Sequence, residues 1–235
     1  MTTKTETAAP ARFEDLQPLM ALMTGDEKHD VAATSTLDAL WVLYDRVLRV
    51  APDTAEEQDR DRFLLSKGHG PMAYYAVLAA KGFIDPAVLP SFGGYDSPLG
   101  YHPDRTLLSG VEISSGSLGH GLPLAVGTAL GLRAQGLTDP AVWVLLGDAE
   151  FDEGSNHEAV AFAGAYGLDR LHAVVIDNSS ATHGWQGGIA QRFAAEGWST
   201  ATVDGRDHEA LHRAYTTAHP GRPHVVVARV EPKYS

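Results

Sequence analysis

Residues 142–159 read VWVLLGDAEFDEGSNHEA, an apolar run that ends at Gly147-Asp148 and is followed by a group of carboxylates. The apolar part predicts a short buried strand, and residues from Ser155 to Tyr166 predict a helix. Further strands are predicted at HAVVID (172–177), TATVD (200–204) and HVVVARV (224–230), with a helix near residues 208–218. Continuous apolar strands that alternate with helices indicate an α/β fold, a doubly wound and mostly parallel sheet with helices on both faces.

Upstream of this stretch, the apolar spacing predicts three more helices. The first lies in STLDALWVLYDRVLRV (35–50), with Ser35 or Thr36 as its N-cap, and the others at residues 71–82 and 122–136. Residues 92–115 are rich in Gly, Pro, Ser and Asp and predict a long loop, which in compact domains is often functional. We therefore expect a flexible N-terminus (residues 1–18) and one domain (residues 19–235).

Composition excludes several classes of protein. The net charge of −12 argues against nucleic acid or an anionic membrane as the main partner. The chain has no cysteine, so it has no disulfide and no thiolate metal site. The N-terminal residues are polar and do not resemble a signal peptide, and no apolar run is long enough to cross a membrane. A cytoplasmic protein is therefore expected.

Two polar residues follow neighbouring predicted strands directly. Asp148 comes after VWVLLG and Asn178 after HAVVID, 30 residues later. In such sheets ligands bind at the carboxyl ends of the strands, so one β-α-β unit can bring the two side chains together. A carboxylate and an amide oxygen, completed by phosphate oxygens, suit Mg²⁺. The sequence therefore predicts a metal site that could hold a diphosphate on an acidic protein.

GDAEFDEGSNHEA followed by VVIDNSSATHG resembles the diphosphate-binding domain of transketolases and related thiamine diphosphate enzymes. The resemblance implies that Asp148, Asn178 and the backbone carbonyl of Ser180 bind Mg²⁺. Ala149 departs from the family, which often has Gly there. Three upstream stretches also resemble transketolases: LLSKGHGPMAYY, LGYHPD and GVEISSGSLGHGLPLAVG. The resemblance covers about residues 20–230, with the motifs in the family's order.

The same resemblance implies roles for further residues. His69 would face the cofactor, His102 would contact the substrate, and Glu153 would lie at a subunit contact. His29 would match the family's His-Pro-Gly-Gly start, although HDVA lacks the Pro-Gly-Gly. The implied contacts to thiamine diphosphate are His69, Gly116, Ser117, Leu118, Gly147, Asp148, Ala149, Glu150 and Asn178.

Transketolases are longer and carry a pyrimidine-binding domain that supplies a glutamate to the cofactor. The resemblance therefore implies a separate C-terminal subunit, in a heterodimer or heterotetramer, that completes a transketolase-like transferase acting on sugars. The small-residue helix at 122–136 could contact that subunit or pack in the core. Two alternatives remain open: an acyloin-forming or 2-oxo-acid decarboxylating enzyme subunit, and a degenerate, non-catalytic module that binds a partner.

Purely structural roles are predicted for other residues near these motifs. Glu150, Asp152 and Glu158 are most simply the solvated and capping acids of a helix start. Trp185, Gly187 and Gly188 could form a lid or a plain loop. Surface or packing roles are predicted for His120, His157, His172, His183 and His208.

Overall fold

The computed structural model describes residues 11–24 and 34–233. Its five strands are β1 (Arg62–Leu65), β2 (Val142–Gly147), β3 (Leu171–Asp177), β4 (Ser199–Asp204) and β5 (His224–Arg229). They form one sheet in the order β1-β2-β3-β5-β4, and every neighbouring pair is parallel. The predicted fold class is therefore confirmed.

The described helices cover both faces of this sheet. They are α1 (Leu16–Ala21), α2 (Leu37–Arg46), α3 (Pro71–Ala80), α4 (Gly121–Ala134), α5 (Gly154–Ala165), α6 (Gly188–Ala195) and α7 (His208–Tyr215). One core cluster joins α1, α2, α3 and α7 to the sheet, and the other joins α4, α5 and α6. Successive strand residues point to opposite faces, so Trp143 and Leu145 enter the first cluster while Val144 and Leu146 enter the second.

Most predicted elements agree with the structure, with four differences. β1 was not predicted, and Gly187 and Gly188 are the N-cap and the first residue of helix α6, where a lid or a plain loop was expected. Helix α2 begins directly after Thr36, but the Thr36 side chain makes no capping hydrogen bond. Leu16 and Met20 are buried in the core, so the packed part of the chain starts before residue 19. None of the described helices has the length and apolarity needed to cross a bilayer.

The register of the central strands positions the site. Gly147 at the end of β2 lies beside Ile176 on β3, so Asp148 emerges next to the residues that follow β3. β1 ends one strand away at Leu65, and its register with Leu145 brings Ser66 and Lys67 to the same edge. Three loops therefore meet at the carboxyl ends of β1, β2 and β3.

Candidate active site

Asp148 is buried at this edge and is held by the turn that follows β3. Its Oδ2 accepts a hydrogen bond from the Ser180 N–H (2.7 Å) and a longer one from the Ala181 N–H (3.3 Å). Its Oδ1 accepts from the Ser180 hydroxyl (2.6 Å) and from the Ala149 N–H (2.9 Å). The structure thus brings together Asp148 and Ser180, two of the three predicted metal ligands.

Asn178, the third predicted ligand, begins the same turn. The residue is 1% exposed, and its Oδ1 has no hydrogen-bond partner among residues 11–24 and 34–233. The turn is tight, because Ser179 adopts a φ of 56°, a left-handed conformation that is uncommon for a residue other than glycine. A buried amide oxygen without a partner costs free energy, so it is well suited to accept a ligand.

The donor set fits Mg²⁺ better than a softer metal. It consists of one carboxylate, one amide oxygen and the peptide carbonyl of Ser180, all hard oxygen donors. No group of three or more His, Asp or Glu side chains among residues 11–24 and 34–233 could hold a metal ion. The proposed set contains only one such side chain, that of Asp148, so the absence of a larger cluster is compatible with it.

A cavity of about 150 Å³ opens in front of this turn. Its lining residues are Lys67, Gly68, His69, Leu118, Gly147, Ala149, Glu150, Asn178, Ser180 and Lys233. Neither lysine was named from the sequence. Lys67 is 8% exposed, and its Nζ donates a hydrogen bond to the His69 carbonyl (2.9 Å). Two cations therefore lie on the wall of a cavity in an acidic protein, where they favour an anionic ligand.

His69 lies on the cavity wall at the start of α3. It is exposed, and Gly70, which precedes the helix, has a φ of 85° that a residue with a Cβ would rarely adopt. Gly68 lies against the opposite loop, since a Cβ there would be 3.2 Å from the Gly116 carbonyl and 3.3 Å from Leu118. The segment SKGHG thus forms one rim of the cavity.

His102 packs on the loop that precedes α4. A Cβ at Gly116, whose φ is 128°, would lie 2.8 Å from the His102 Cγ. Only glycine therefore allows the imidazole this close. Leu118 lines the main cavity, whereas Ser117 and His120 line a neighbouring cavity of about 70 Å³. The structure thus brings His102 against Gly116, and it places Leu118 on the same cavity wall as His69.

Glu150 was predicted to be a solvated acid at a helix start, and this was wrong because the residue is buried and only 1% exposed. Its carboxylate accepts hydrogen bonds from the Ser66 hydroxyl, the Gly119 N–H and the Gly147 N–H. Burial raises the pKa of Glu150 above its ordinary value, and these three hydrogen bonds and the Lys67 charge partly offset the rise. Nothing in the local pattern indicates this burial, because DAEFDE has the acids of an ordinary helix start.

Asp152 and Glu153 lie just beyond, before α5. Asp152 accepts hydrogen bonds from the Thr182 N–H (2.9 Å) and the His183 N–H (3.1 Å), so it holds the loop after Asn178 rather than capping the helix. Glu153 is exposed, and a Cβ at Gly119 would lie 2.7 Å from its Cβ. Its role at a subunit contact stays a prediction. His29 lies outside the described residues.

The chain is similar to known proteins over most of its length. A family model described as "Transketolase, thiamine diphosphate binding domain" matches residues 21–230. The chain is 57% identical over 218 residues to "Ferredoxin fas2" of Rhodococcoides fascians, a match that covers 93% of this chain and 72% of that protein. It is 36% identical to an apulose-4-phosphate transketolase subunit of Actinobacillus succinogenes, covering 85% of this chain and 75% of that one.

Another relative is "6-deoxy-6-sulfo-D-fructose transketolase subunit SqwG" of a Clostridium species, with 32% identity over 85% of this chain and 75% of its own length. Among solved structures, a transketolase from Leishmania mexicana superposes with a TM-score of 0.75 at 25% identity. That match covers 94% of this chain but only 37% of the Leishmania chain, so this chain spans about a third of a full-length transketolase.

Proposed function

The chain belongs to the family of transketolase thiamine diphosphate-binding domains, and from this we propose that it is the diphosphate-binding subunit of a two-component transketolase-like enzyme. The enzyme would transfer a two-carbon ketol unit between sugars or sugar-like substrates. The observation that carries the proposal is the turn after β3, where the unpartnered oxygen of Asn178 lies two residues from the Ser180 amide that binds Asp148.

In this proposal Asp148, Asn178 and the Ser180 carbonyl hold Mg²⁺, and the metal holds the diphosphate. A divalent ion would offset the negative charge of Asp148 and Glu150 beside an anionic ligand. Lys67 and Lys233 add positive charge to the same wall. The Ala149 N–H donates to Asp148, so the methyl group that replaces the family's glycine leaves this backbone contact in place.

The remaining site residues support the cofactor and admit the substrate. Gly116, Ser117 and Leu118 would support the cofactor ring, while His69 and His102 would line the substrate channel above them. When bound, thiamine diphosphate supplies the nucleophilic carbon that carries the two-carbon unit. The protein's part is to orient the reacting groups, since the His102 ring lies against Gly116 and the His69 carbonyl accepts a hydrogen bond from the buried Lys67.

Support for a partner chain comes from the relatives. Two of them are named as transketolase subunits, and this chain covers three quarters of each. We propose that a separate chain with a pyrimidine-binding domain completes the site, as a heterodimer or heterotetramer. Another relative is named a ferredoxin, but we propose no iron–sulfur cluster for this chain. Cysteine thiolates bind such clusters, and this sequence has no cysteine.

We expect a tagged form of the chain, expressed in its native host, to copurify with a stoichiometric second polypeptide that has a pyrimidine-binding domain. Mass spectrometry identifies that polypeptide, and the purified complex is then assayed for ketol transfer with thiamine diphosphate and Mg²⁺. Donors should include ketose phosphates and 6-deoxy-6-sulfofructose, because the relatives' names mention such sugars. The Asp148→Ala form is the matched control: it should capture the partner but not catalyse.

Other outcomes would redirect the proposal. Turnover of 2-oxo acids by the complex, without ketol transfer, would favour a decarboxylating or acyloin-forming enzyme. A complex that binds no thiamine diphosphate would favour the non-catalytic module. A chain that purifies alone or only with itself would contradict the two-component enzyme, because no source for the missing glutamate would remain.

The Ser180 hydroxyl gives a separate prediction. Each carboxylate oxygen of Asp148 already accepts two hydrogen bonds, so a bound metal must displace one of the donors. The Ser180 hydroxyl is the easiest donor to displace, because it can rotate about its Cα–Cβ bond. Ser180→Ala removes this competitor and keeps the carbonyl. We expect Mg²⁺, titrated in the presence of thiamine diphosphate, to bind about fivefold tighter, which corresponds to one hydrogen bond of about 1 kcal/mol. Weaker binding would show that the hydroxyl helps to hold the metal.

A further inference from the structure

Glu150 makes hydrogen bonds to three of the segments that surround the cavity. Its Oε2 accepts from the Ser66 hydroxyl, which follows β1, and from the Gly119 N–H (3.2 Å), which precedes α4. Its Oε1 accepts from the Gly147 N–H (3.0 Å) at the end of β2. One buried carboxylate thus ties together loops that are distant in sequence.

Ser66 extends the same network to the first residue of α4. Its Oγ donates to Glu150 and accepts from the Gly121 N–H (3.1 Å). The packing around it is tight, since a Cβ at Gly121 would lie 2.2 Å from the Ser66 Cβ. The segment Gly116–Leu118, which is expected to support the cofactor, is therefore fixed at its C-terminal end by Glu150 and Ser66.

The hydrogen bonds of this network maintain the shape of the cavity, because the groups that form them are buried. The Gly119 and Gly147 amides have their acceptors on Glu150, and a buried N–H group that loses its acceptor is costly. The backbone of Glu150 is fixed too, because its carbonyl accepts from the Asn156 Nδ2 (2.7 Å) on α5. Glu150 is thus held through both its carboxylate and its backbone, and burial raises the pKa of the carboxyl group.

We propose that Glu150, acting with Ser66, is a positioning residue that holds the loop before α4 against the ends of β1 and β2, and so keeps the Gly116–Leu118 segment in place for the cofactor. The inference rests on the proposed function, because thiamine diphosphate is the ligand for which this segment is positioned. In this role Glu150 does not contact the cofactor, whereas its place in the sequence motif implies such a contact.

The test compares Glu150→Ala, Glu150→Gln and Ser66→Ala with the unaltered chain. Glu158→Gln is the matched control, since it removes the same charge from an exposed position in α5. Two quantities are measured on each protein: the Kd of thiamine diphosphate in saturating Mg²⁺ by calorimetry, and hydrogen exchange of peptides covering residues 113–121 without cofactor. The thermal unfolding midpoint is recorded alongside, because general destabilisation would raise exchange throughout the chain.

We expect Glu150→Ala to weaken cofactor binding about tenfold and to speed exchange in residues 113–121 while the central strands β2 and β3 stay protected. Glu150→Gln keeps an oxygen that can accept from Ser66 and Gly119 but turns an amide NH₂ toward the Gly147 N–H, so it should restore only part of both. Ser66→Ala should show a smaller loss in the same direction, and Glu158→Gln should match the unaltered chain.

Two results would separate failure of this inference from failure of the proposed function. Unaltered cofactor affinity and unaltered exchange in Glu150→Ala would overturn the positioning role while leaving the cofactor assignment intact. An unaltered chain that binds no thiamine diphosphate, with or without its partner, would overturn the proposed function. In that case the exchange data alone would still decide whether Glu150 holds the loop.

Discussion

Replacing Asp148 with alanine is expected to abolish Mg²⁺-dependent binding of thiamine diphosphate and to lower ketol transfer by the complete complex by roughly 10³-fold or more. The magnitude is at the upper end of what the loss of one electrostatic contact costs a catalytic site. Asp148 supplies the only carboxylate in the proposed metal set, and without it the Ser180 amide and hydroxyl also lose their acceptor. Calorimetry with and without Mg²⁺, and initial rates of the complex, measure the two effects.

Two further variants separate loss of the metal from loss of the turn. Asp148→Asn keeps the shape of the side chain and one acceptor oxygen, so it should preserve the Ser180 turn while still losing most of the metal affinity. Glu158→Ala removes an exposed acid from α5 and should leave binding and turnover unchanged. Full activity of the Asp148→Ala variant would contradict the assignment of Asp148 as a metal ligand, whatever the effect of the substitution on stability.

The sequence could predict the central sheet and the Asp148–Asn178 pair for a physical reason. Strands β2, β3 and β5 are buried on both faces, so they appear as continuous apolar runs, and the residue after each run must lie at the carboxyl edge. The spacing of Asp148 and Asn178 then follows from one β-α-β unit. The structure adds the contact between Asp148 and Ser180 and the unpartnered oxygen of Asn178.

Strand β1 and the inward direction of Glu150 could not be predicted in the same way. β1 has only four residues, begins with a partly exposed arginine, and forms the edge of the sheet, so its pattern resembles many short loops. Glu150 is one of four acids within six residues, and nothing local distinguishes the acid that turns inward. Its burial depends on Ser66 and Gly119, which lie far away in sequence and meet it only in the folded chain.

Three histidines pack together at the opposite end of the sheet, where we expect acid to weaken the fold. His172 on β3 stacks on Trp143, with ring centroids 4.1 Å apart, and meets His219 at 4.8 Å. His219 in turn stacks on His224 of β5 at 4.9 Å. His224 contacts the Ala214 carbonyl through Nε2 (3.1 Å), while the buried Nδ1 atom of His172 has no hydrogen-bond partner among the described residues.

This environment disfavours protonation of both buried rings. Burial first, and then the His219 charge, lower the pKa of His224 to about 4 from an ordinary value of 6.5, with Arg222 adding to the effect. Burial, followed by His219, His224 and Arg170, holds the pKa of His172 well below its ordinary value. The unfolded chain therefore binds protons that the folded chain does not, over the interval from about pH 6.5 down to about pH 4.

We expect the free energy of unfolding to be highest above pH 6.5 and to fall as the pH drops below that value. His224 alone should remove about 2 kcal/mol between pH 7 and pH 5, since each pKa unit is worth about 1.4 kcal/mol, and His172 acts in the same direction. Urea unfolding at a series of pH values measures the loss. His224→Gln should flatten the curve by about that amount, whereas His212→Gln, on the partly exposed face of α7, should leave it unchanged. An equal slope in His224→Gln and the unaltered chain would mean that the folded protein protonates His224 without cost, and would refute the prediction.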